Sequence, residues 1–596
     1  MTTARPFPAH MDHHSRHDRF WNTLIWTSIS VGLALLLYLS TSLSSKAQWS
    51  ADPNNPLVIC NAPSYQKNMR LLGDGAGGWY VLWTDDRLGA NNYAVFGQRL
   101  DAAGNLLWEP NGRLIKSIPG RSINYIGAAR MSDDRLFLAY TSGADQFGAD
   151  TLRAMAFDGD GQPDWTQPVL LAQPGPLPGG GTASGHFYPR VTPVLNGIFV
   201  GWGTNLLGAA DYVHVARILN DGTNLMPVQG VEIPSLNNSI VTGPWTMRHD
   251  LSGGLMLEER WGNGAGAPLY AMHVDSMGDE LWPELLLVSA NSGGLFYEWS
   301  TAMAPNTRMN SVWANSYDLR MAIYDISGVL LNATAPIEVC MQGDVQENPF
   351  VVQSEEETTV FWADNRAALG GGRQVFMQRF DATGTPLLAT DGVLAMRVNG
   401  NINGFPRAFV VNGDEHIVAM VAPFASDGAT PGFRVGRVTS AGTNLWSDTT
   451  RFCNGALSPN GGTDYGVTSD GQGGAMAVWF NWQNDAIYAA RIDSSGYLGG
   501  VNTTSVRSVP GGYALQVYPD PASDRITIVA DPSHVGQRAV IEVFDATGSR
   551  VHAEPVSSFG ALQQLDLSLE WTEGLYLVIV RVEGQAPKVA RVVVER

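Results

Sequence analysis

Two stretches far apart in the chain carry the same charged cluster. One reads WTDDRLGANNYAVFGQRLDAAGNLLW and the other reads WADNRAALGGGRQVFMQRFDATGTPLL. In each stretch a carboxylate and a guanidinium stand two residues apart, at Asp85 and Arg87 and at Asp364 and Arg366. Such a pair can grip a polar ligand such as a sugar, or it can form an ion pair that fixes a loop. These four residues are therefore candidate ligand-binding residues, with the structural interpretation open beside them.

Other sequence patterns with known chemistry are absent. The chain has no Gly-x-Ser-x-Gly elbow, no His-Glu-x-x-His motif, no phosphate loop and no dinucleotide fingerprint. The segment DGDGQPD resembles the start of a Ca²⁺ loop, but no glutamate follows to complete it. The sequence therefore predicts no catalytic residue, no metal site and no cofactor, and it favours a non-enzymatic protein without deciding the question.

A repeat is the strongest feature of the sequence. The turn Asp-x-x-Gly, or a degenerate form of it, recurs at intervals of 50 to 61 residues. Its glycines are Gly104, Gly161, Gly222, Gly278, Gly328, Gly384, Gly442 and Gly496. Eight copies of about 56 residues indicate a repeat architecture with one supersecondary unit per copy.

Each copy has the same internal order. A Gly-rich turn precedes a β-rich run with an aromatic residue, a variable loop follows, and an alternating strand then leads into the Asp-x-x-Gly hairpin. With a strand on either side, this order predicts four short antiparallel strands per copy. The fold class is therefore all-β, an eight-bladed β-propeller with four-stranded blades. A string of β-sandwiches does not fit, because each sandwich would need about 100 residues, more than one copy of the repeat contains.

The two ends of the repeat region indicate how the ring closes. The last copy lacks a fourth strand, and WSADPNNPLVICNAP near the N-terminus resembles the fourth-strand segment WSDTTRFCNGAL. We expect the N-terminal strand to complete the last blade and remove an open edge. Cys60, Cys340 and Cys453 then become equivalent residues of outer strands, and we interpret them as buried free thiols rather than reactive or metal-binding ones.

The N-terminal segment is a leader. Arginines precede an apolar run over residues 21–43, and Ser45-Lys46-Ala47 offers the small residues of a signal-peptidase site. We expect residues 1–47 to be a signal peptide cleaved between Ala47 and Gln48. The alternative is an uncleaved membrane anchor, because the apolar run is about long enough to span a bilayer.

The C-terminal segment has a different sequence pattern from the repeat region. Alternating strands without the repeat pattern occupy about 80 residues, enough for a small Ig-like β-sandwich. Its motif residues are Tyr518, Pro519, Pro521, Gly548, Gly574, Tyr576 and Lys588. With these residues the segment resembles the C-terminal (type A) sorting domain of type IX secretion cargo, with Asp520 standing where that family has Asn. The resemblance implies export through the periplasm and the outer membrane, with the type IX secretion machinery as a partner.

Two features of the repeat region suggest where a ligand would bind. Arginines recur in the first strand of four copies, and we expect them to line the channel of the ring if they point inward. They are Arg70, Arg190, Arg248 and Arg407. The Pro- and Gly-rich segment 173–190 is predicted to be a surface loop at the rim of this channel, or a flexible linker.

The predicted organisation follows from these observations. Residues 1–47 form the leader, 48–505 the β-propeller, 506–514 a linker and 515–596 the sorting domain. The net charge of −19 argues against a nucleic-acid partner, which requires a basic face. We expect a secreted or cell-surface protein that binds glycan or protein ligands and keeps no transmembrane segment once the leader is cleaved. The alternative is a carbohydrate-active propeller enzyme, a glycosidase or lyase, with acids converging at one channel mouth.

Overall fold

A computed structural model describes most of the chain after the leader. It covers residues 49–594 except 91, 146, 195, 207–211, 234–244, 261–267, 291–298, 305–306, 316, 333–335, 355–356, 367–372, 401–405, 412–414, 423–431, 448–449, 456–464, 482, 500–515, 519–521, 523–524, 530–534, 546–549, 561, 567–573 and 583–587. The signal-cleavage residues Ala47 and Gln48 and the apolar run 21–43 lie outside the described residues. Two compact units are present, one within Met1–Gly500 and one within Val501–Arg596.

The described residues form strands and no α-helix, so the predicted all-β class is confirmed. No helix in this part of the chain is long and apolar enough to cross a membrane. The first strand is β1 (Leu57–Cys60). Sheets 1 to 4 follow in chain order, with β2 (Gln66–Gly73), β3 (Trp79–Asp85), β4 (Ala94–Leu100) and β5 (Arg113–Lys116); β6 (Ser122–Arg130), β7 (Leu136–Gly143), β8 (Thr151–Phe157) and β9 (Val169–Ala172); β10 (Gly175–Pro176), β11 (Thr182–Val194), β12 (Gly197–Leu206), β13 (Tyr212–Leu219) and β14 (Val231–Glu232); and β15 (Trp245–His249), β16 (Leu255–Arg260), β17 (Leu269–Val274) and β18 (Leu286–Ser289).

Sheets 5 to 8 continue the same antiparallel order. They contain β19 (Trp299–Met303), β20 (Arg308–Asn315), β21 (Asp318–Asp325) and β22 (Ile337–Cys340); β23 (Gln346–Gln353), β24 (Thr358–Asp364), β25 (Arg373–Phe380) and β26 (Val393–Gly400); β27 (Arg407–Val411), β28 (Glu415–Ala422), β29 (Gly432–Val438) and β30 (Arg451–Asn454); and β31 (Tyr465–Ser469), β32 (Ala475–Asn481) and β33 (Ala486–Ile492). The fourth strand of sheet 8 is β1, in which Leu57 pairs with Ala489 of β33.

The innermost strands of the eight sheets contact one another in a closed order. Each contacts the equivalent strand of the next sheet, and β31 of sheet 8 contacts β2 of sheet 1. We call the unit that contains these eight sheets the ring unit. The second strands lie between neighbouring sheets, so both of their faces are buried. All seven residues of β3, for instance, are buried. Continuous apolar runs such as WYVLW therefore form strands without the polar alternation of a half-exposed sheet.

The Asp-x-x-Gly turns are hairpins between the third and fourth strands. The Asp101 carboxylate accepts hydrogen bonds from the backbone N–H groups of Ala103 (2.9 Å) and Asn105 (2.8 Å), which explains the aspartate at the start of the turn. All eight hairpin glycines have φ between +70° and +89°, the left-handed region that glycine adopts without strain. The turn conformation therefore explains both the aspartate and the glycine of the repeated motif.

Each hairpin is also bound by the preceding sheet. The carbonyl that follows the Asp position accepts a hydrogen bond from an indole, guanidinium or imidazole of that sheet in all eight cases. The acceptors, with their donors in parentheses, are Ala102 (Trp49), Gly159 (Arg99), Asn220 (Trp165, Arg135), Ser276 (Arg217), Ile326 (Trp282, His273), Ala382 (Arg308), Ser440 (Arg379) and Ser494 (Trp446, Arg437). Trp49 precedes β1 and belongs to sheet 8, so these bonds also run without a break from the last sheet to the first.

The tryptophans of the repeat pack on the next hairpin. A Cβ added at Gly104 would lie 2.9 Å from the Trp49 ring, and one at Gly496 would lie 2.7 Å from Trp446. Indole and glycine are thus two halves of one contact between neighbouring sheets. This contact explains why tryptophan and the hairpin glycine recur together in the sequence.

The segment 173–190 is the predicted surface loop only in its first half, where residues 173–181 are mostly exposed and form just the two-residue strand β10. The prediction is wrong for the second half, because the part from Thr182 onward lies in β11, which pairs with β12 along most of its length. Register shifts in β11 accommodate Gly185 and Pro189 within the sheet. The result is a fifth strand in sheet 3.

The C-terminal unit contains two antiparallel sheets. One has β34 (Gln516–Tyr518), β35 (Arg525–Val529) and β38 (Leu562–Asp566), and the other has β36 (Ala539–Asp545), β37 (Arg550–Val556), β39 (Gly574–Val582) and β40 (Lys588–Val594). A single cluster of buried residues from both sheets, including Ile526, Ile541 and Val580, forms its core. Alternating apolar residues in β39 and β40 place one face of each strand in this core.

Candidate functional site

The first candidate pair lies at the end of β3. Asp85 is fully buried, and its Oδ2 accepts hydrogen bonds from Arg87 Nε at 2.9 Å and Trp83 Nε1 at 3.2 Å. Its Oδ1 accepts from Ser64 Oγ and from the backbone N–H of Arg87, both at 2.8 Å. Burial alone would raise the pKa of Asp85, but the hydrogen bonds from Arg87 and Ser64 lower it below its usual value. The carboxylate is thus ionised, satisfied and closed to solvent.

The second pair has the same geometry at the end of β24. Asp364 is fully buried and accepts hydrogen bonds from Arg366 Nη2 at 2.7 Å, Arg366 Nε at 3.0 Å and Trp362 Nε1 at 2.9 Å. The Arg366 guanidinium lies 3.9 Å from the centroid of the Phe376 ring. Two distant parts of the sequence therefore build one arrangement twice.

Each arginine also joins two neighbouring sheets. Arg87 Nη2 lies 3.1 Å from the Cys60 sulfur on β1 of sheet 8, and Arg366 Nη2 lies 3.4 Å from the Cys340 sulfur on β22 of sheet 5. We call the two assemblies the latches. The first consists of Cys60, Trp83, Asp85, Arg87 and Phe96, and the second of Cys340, Trp362, Asp364, Arg366 and Phe376.

The carboxylates of the latches face arginines rather than solvent. Binding of a ligand by Asp85, Arg87, Asp364 and Arg366 stays a prediction, and it would require the ligand to reach carboxylates that are closed to water. The three cysteines are buried and free, which confirms the interpretation of their thiols as buried. Burial raises the pKa of Cys340 to about 12, so its thiol is protonated and a weak nucleophile at neutral pH.

A second candidate surface lies on the innermost strands. The four arginines singled out in the sequence lie on β2, β11, β15 and β27, and their side chains are exposed or half-buried. Three of them share a register, because each pairs with an equivalent residue of the second strand. The equivalent residue is the third in the segments YVLW, FVGW and IVAM. These pairs are Arg70 with Leu82, Arg190 with Gly201, and Arg407 with Ala419. We call these three residues the arginine ring. Arg248 lies two positions away, opposite Met256.

Several of these arginines bridge to a neighbouring innermost strand. Arg70 Nη2 donates to the Ile126 carbonyl at 2.7 Å, and Arg248 Nη2 donates to the Thr301 carbonyl at 3.3 Å. Arg407 lies 5.6 Å and 5.8 Å from the rings of Phe350 and Tyr465 on the two flanking strands. Burial lowers the pKa of Arg70 and Arg248 although both side chains reach solvent. The shifts indicate that neighbouring residues enclose part of each guanidinium.

A buried carboxyl that the sequence reasoning missed lies between sheets 4 and 5. Glu258 in β16 is fully buried, and its Oε1 accepts hydrogen bonds from the hydroxyls of Ser311 and Tyr324. Burial raises the pKa of Glu258 to about 7, against the hydrogen bonds and the nearby Arg248 that lower it. The charged run EER inside a strand was the available signal, but a sequence alone does not show that both faces of that strand are covered.

Replacing Glu258 with glutamine is expected to stabilise the protein at pH 8 by up to about 3 kcal/mol and to change little at pH 5. The folded-state pKa lies above the unfolded value, so the stability from the protonated carboxyl is present below about pH 4.5. It is lost as the pH rises toward 7. Urea unfolding of both proteins at the two pH values measures the effect. An equal difference between the variants at pH 5 and pH 8 would contradict it.

Two buried histidines were also missed, since each stands alone in the sequence. Thr204 Oγ1 lies between Nδ1 of His186 at 3.2 Å and Nδ1 of His214 at 3.0 Å, on three adjacent strands of sheet 3. Neither Nε2 has a hydrogen-bond partner among the described residues. Burial lowers the pKa of His186 to about 4 and that of His214 to about 3. Within the part of the chain described, no group of His, Cys, Asp and Glu could hold a metal ion.

The C-terminal motif residues occupy strand ends and the core. Tyr518 ends β34, Gly574 begins β39 and Lys588 begins β40. Tyr576 is buried in the core of its unit. Pro519, Pro521 and Gly548 lie outside the described residues. The described part of the motif thus marks where the strands of a small two-sheet unit begin and end.

This unit is a small all-β module that follows the eight sheets in the chain. Residues 516–595 match the family described as a secretion system C-terminal sorting domain. The chain therefore carries a type IX secretion sorting domain, as its motifs predicted, and the protein is exported to the cell surface or secreted.

Comparisons over the whole chain are much weaker. No curated protein matches it. Prolyl oligopeptidase B from Galerina marginata, bound to a 25mer macrocyclization substrate, is similar over 79% of this chain and 61% of its own, with 13% identity and a TM-score of 0.37. Puromycin hydrolase is similar over 73% of this chain and 61% of its own, with 13% identity and a TM-score of 0.35. A thermostable family-43 glycoside hydrolase is similar over 46% of this chain and 94% of its own, with 14% identity and a TM-score of 0.24. At these TM-scores the likenesses carry no argument about fold or function.

Proposed function

We propose that the protein is an exported binding protein, in which an eight-bladed β-propeller holds the ligand and the sorting domain directs export. The propeller comprises residues 48–505 and the sorting domain, an Ig-like sandwich, comprises 515–596, with 506–514 as linker. Residues 1–47 are the signal peptide, cleaved between Ala47 and Gln48. The ligand is a glycan or protein met outside the cell.

Three observations support the closed ring of eight blades. The innermost strands contact one another in a closed order, and the hairpin carbonyls are bound by the preceding sheet all the way round. The strand β1 supplies the fourth strand of sheet 8, and the first latch ties this strand to sheet 1. A ring closed in this way leaves no open sheet edge between the first and last blades.

The arginine ring is the observation that carries the binding function. Three arginines occupy the same register position on the innermost strands of a protein whose net charge is −19. Cationic groups in a confined space attract anionic ligands more strongly than the same groups on an open surface, because low-dielectric walls focus their field. The structure thus offers a local cationic surface in an acidic molecule, and an anionic group is the ligand chemistry that it fits.

The test uses the full chain from residue 48 and a panel of extracellular glycans and proteins. We expect at least one anionic member of the panel to bind, and the double variant Arg190→Gln, Arg407→Gln to bind it at least 10-fold more weakly. The double variant Arg113→Gln, Arg550→Gln is the control, because it removes the same number of charges from ion pairs with Glu109 and Glu542 outside the arginine ring. Equal loss in the control would contradict the arginine ring as the site, and turnover of a bound glycan would contradict a purely binding role.

A further inference from the structure

The innermost strands of sheets 1, 3 and 6 contain the same irregularity. In each strand the pairing register shifts, and one residue inside the shift takes a left-handed backbone conformation. These residues are Asn68 at φ +56°, Tyr188 at φ +52° and Asn348 at φ +53°. The three strands therefore share one type of bulge at one level.

The residue type at the bulge of sheet 3 is unusual for its backbone conformation. Asparagine adopts the left-handed conformation with little strain, and two of the three bulges use it. Tyr188 has a bulky side chain, for which this conformation is unfavourable. Strained residues of this kind persist where the surrounding structure holds them, and they concentrate at functional sites. The strain at Tyr188 therefore points to a role for its side chain.

The bulge displays an aromatic surface next to the arginine ring. Tyr188 is 41% exposed, and its ring centroid lies 4.6 Å from that of Tyr125 on the innermost strand of sheet 2. Phe187 completes the group, 5.9 Å from Tyr125 and 6.3 Å from Tyr188. Burial raises the pKa of Tyr125 to about 12, so its hydroxyl stays protonated and can donate a hydrogen bond.

Two arginines of the arginine ring lie on strands of this aromatic group or next to it. Arg190 follows Tyr188 by two residues on β11 and is exposed. Arg70, on β2, hydrogen-bonds the carbonyl of Ile126, the residue after Tyr125. Both arginines belong to the same register of the arginine ring. The strand of Tyr125, β6, contacts both strands that carry these arginines.

We propose that this group binds an oligosaccharide of uronic acids. A pyranose ring presents a flat apolar face that packs on an aromatic ring, and the uronate carboxylate pairs with a guanidinium beside it. Successive residues of the oligosaccharide carry one carboxylate each, which matches an arginine on each of the two strands that flank the strand of Tyr125. The inference rests on the proposed binding function and narrows its ligand to one chemical class.

The experiment measures binding of three probes to the full chain from residue 48 by calorimetry. The probes are a galacturonate hexamer, a neutral glucose hexamer and a glutamate hexapeptide. We expect the galacturonate hexamer to bind at least 10-fold more tightly than either of the others. Tyr188→Asn installs the residue that sheets 1 and 6 use, so it is expected to leave the midpoint of thermal unfolding unchanged or higher and to weaken galacturonate binding at least 10-fold.

Two further variants complete the design. Arg190→Gln is expected to weaken galacturonate binding at least 10-fold, whereas Tyr317→Asn, the same substitution at a tyrosine that is 58% exposed elsewhere in the ring unit, is expected to leave it unchanged. Tight binding of the peptide or the neutral hexamer, unchanged binding by Tyr188→Asn, or no binding of galacturonate would overturn the inference. In the last case the proposed function survives if another ligand of the panel depends on Arg190 and Arg407.

Discussion

Replacing Asp85 with alanine is expected to destabilise the ring unit by about 3–5 kcal/mol, because it leaves the guanidinium of Arg87 partly buried without its anion. Asp85 is fully buried and the Arg87 side chain is 19% exposed, so water replaces little of the lost interaction. Asp364→Ala removes the same group from the second latch, where Arg366 is 16% exposed, and should have an effect of similar size. Equilibrium unfolding in guanidinium chloride measures both.

The cysteines report which latch has opened. Arg87 contacts Cys60, and Arg366 contacts Cys340, and both thiols are buried in the intact protein. We expect Asp85→Ala to accelerate labelling of Cys60 by a thiol reagent, and Asp364→Ala to accelerate labelling of Cys340. Cys453, which belongs to neither latch, is the internal reference.

Glu109→Gln is the matched control for charge. Its partner Arg113 lies four residues away, and the Glu109 side chain is 57% exposed, so its loss should cost under about 1 kcal/mol. If Asp85→Ala or Asp364→Ala destabilised the protein no more than Glu109→Gln does, the buried ion pair would contribute no more to stability than the exposed one. If either variant accelerated the labelling of both Cys60 and Cys340, the two latches would not act separately.

Acidification from pH 6.5 to pH 4 is expected to destabilise the ring unit by about 3 kcal/mol through His186 alone, with a further loss from His214. Both histidines are neutral in the folded protein, with pKa values of about 4 and about 3. In the unfolded chain they take up protons near pH 6.5. The unfolded state thus binds more protons over this range, and its relative free energy falls as the pH falls.

The double variant His186→Gln, His214→Gln tests this account. Glutamine does not titrate, so the double variant should take up about two fewer protons on unfolding than the wild type between pH 6.5 and pH 4. Its free energy of unfolding should therefore depend less steeply on pH. His552→Gln, at a histidine of the C-terminal unit whose side chain is 31% exposed, is the control and should keep the wild-type slope. A double variant with the wild-type slope would place the acid sensitivity elsewhere.

The sequence predicted those parts of the fold that depend on local chemistry. Six of the eight hairpins follow from an aspartate that caps its own turn and a glycine that takes positive φ, and both signals are readable one copy at a time. Trp49 and its equivalents recur because each covers the next hairpin glycine.

What the sequence could not predict depends on pairing register. Arg70, Arg190 and Arg407 stand at different distances in the sequence from the hairpin that follows them, but hairpins of different length bring all three opposite equivalent residues of the second strands. The strain at Tyr188 is hidden as well, since a left-handed residue is a property of the backbone and not of the tyrosine. Glu258 and the two histidines were missed for a related reason, because burial from both sides comes from neighbouring sheets.

The pairing of β1 with β33 also determines when the ring can be finished. Leu57 faces Ala489, so the first and last strands of the ring unit are partners across its whole length. Contacts of such sequence separation form slowly, and until then β1 and β33 each present an unpaired edge that could join another chain. The ends of the unit also lie side by side, which is the condition under which a circular permutant keeps every native contact. A permutant that places β1 directly after β33 should close its ring sooner and aggregate less during refolding.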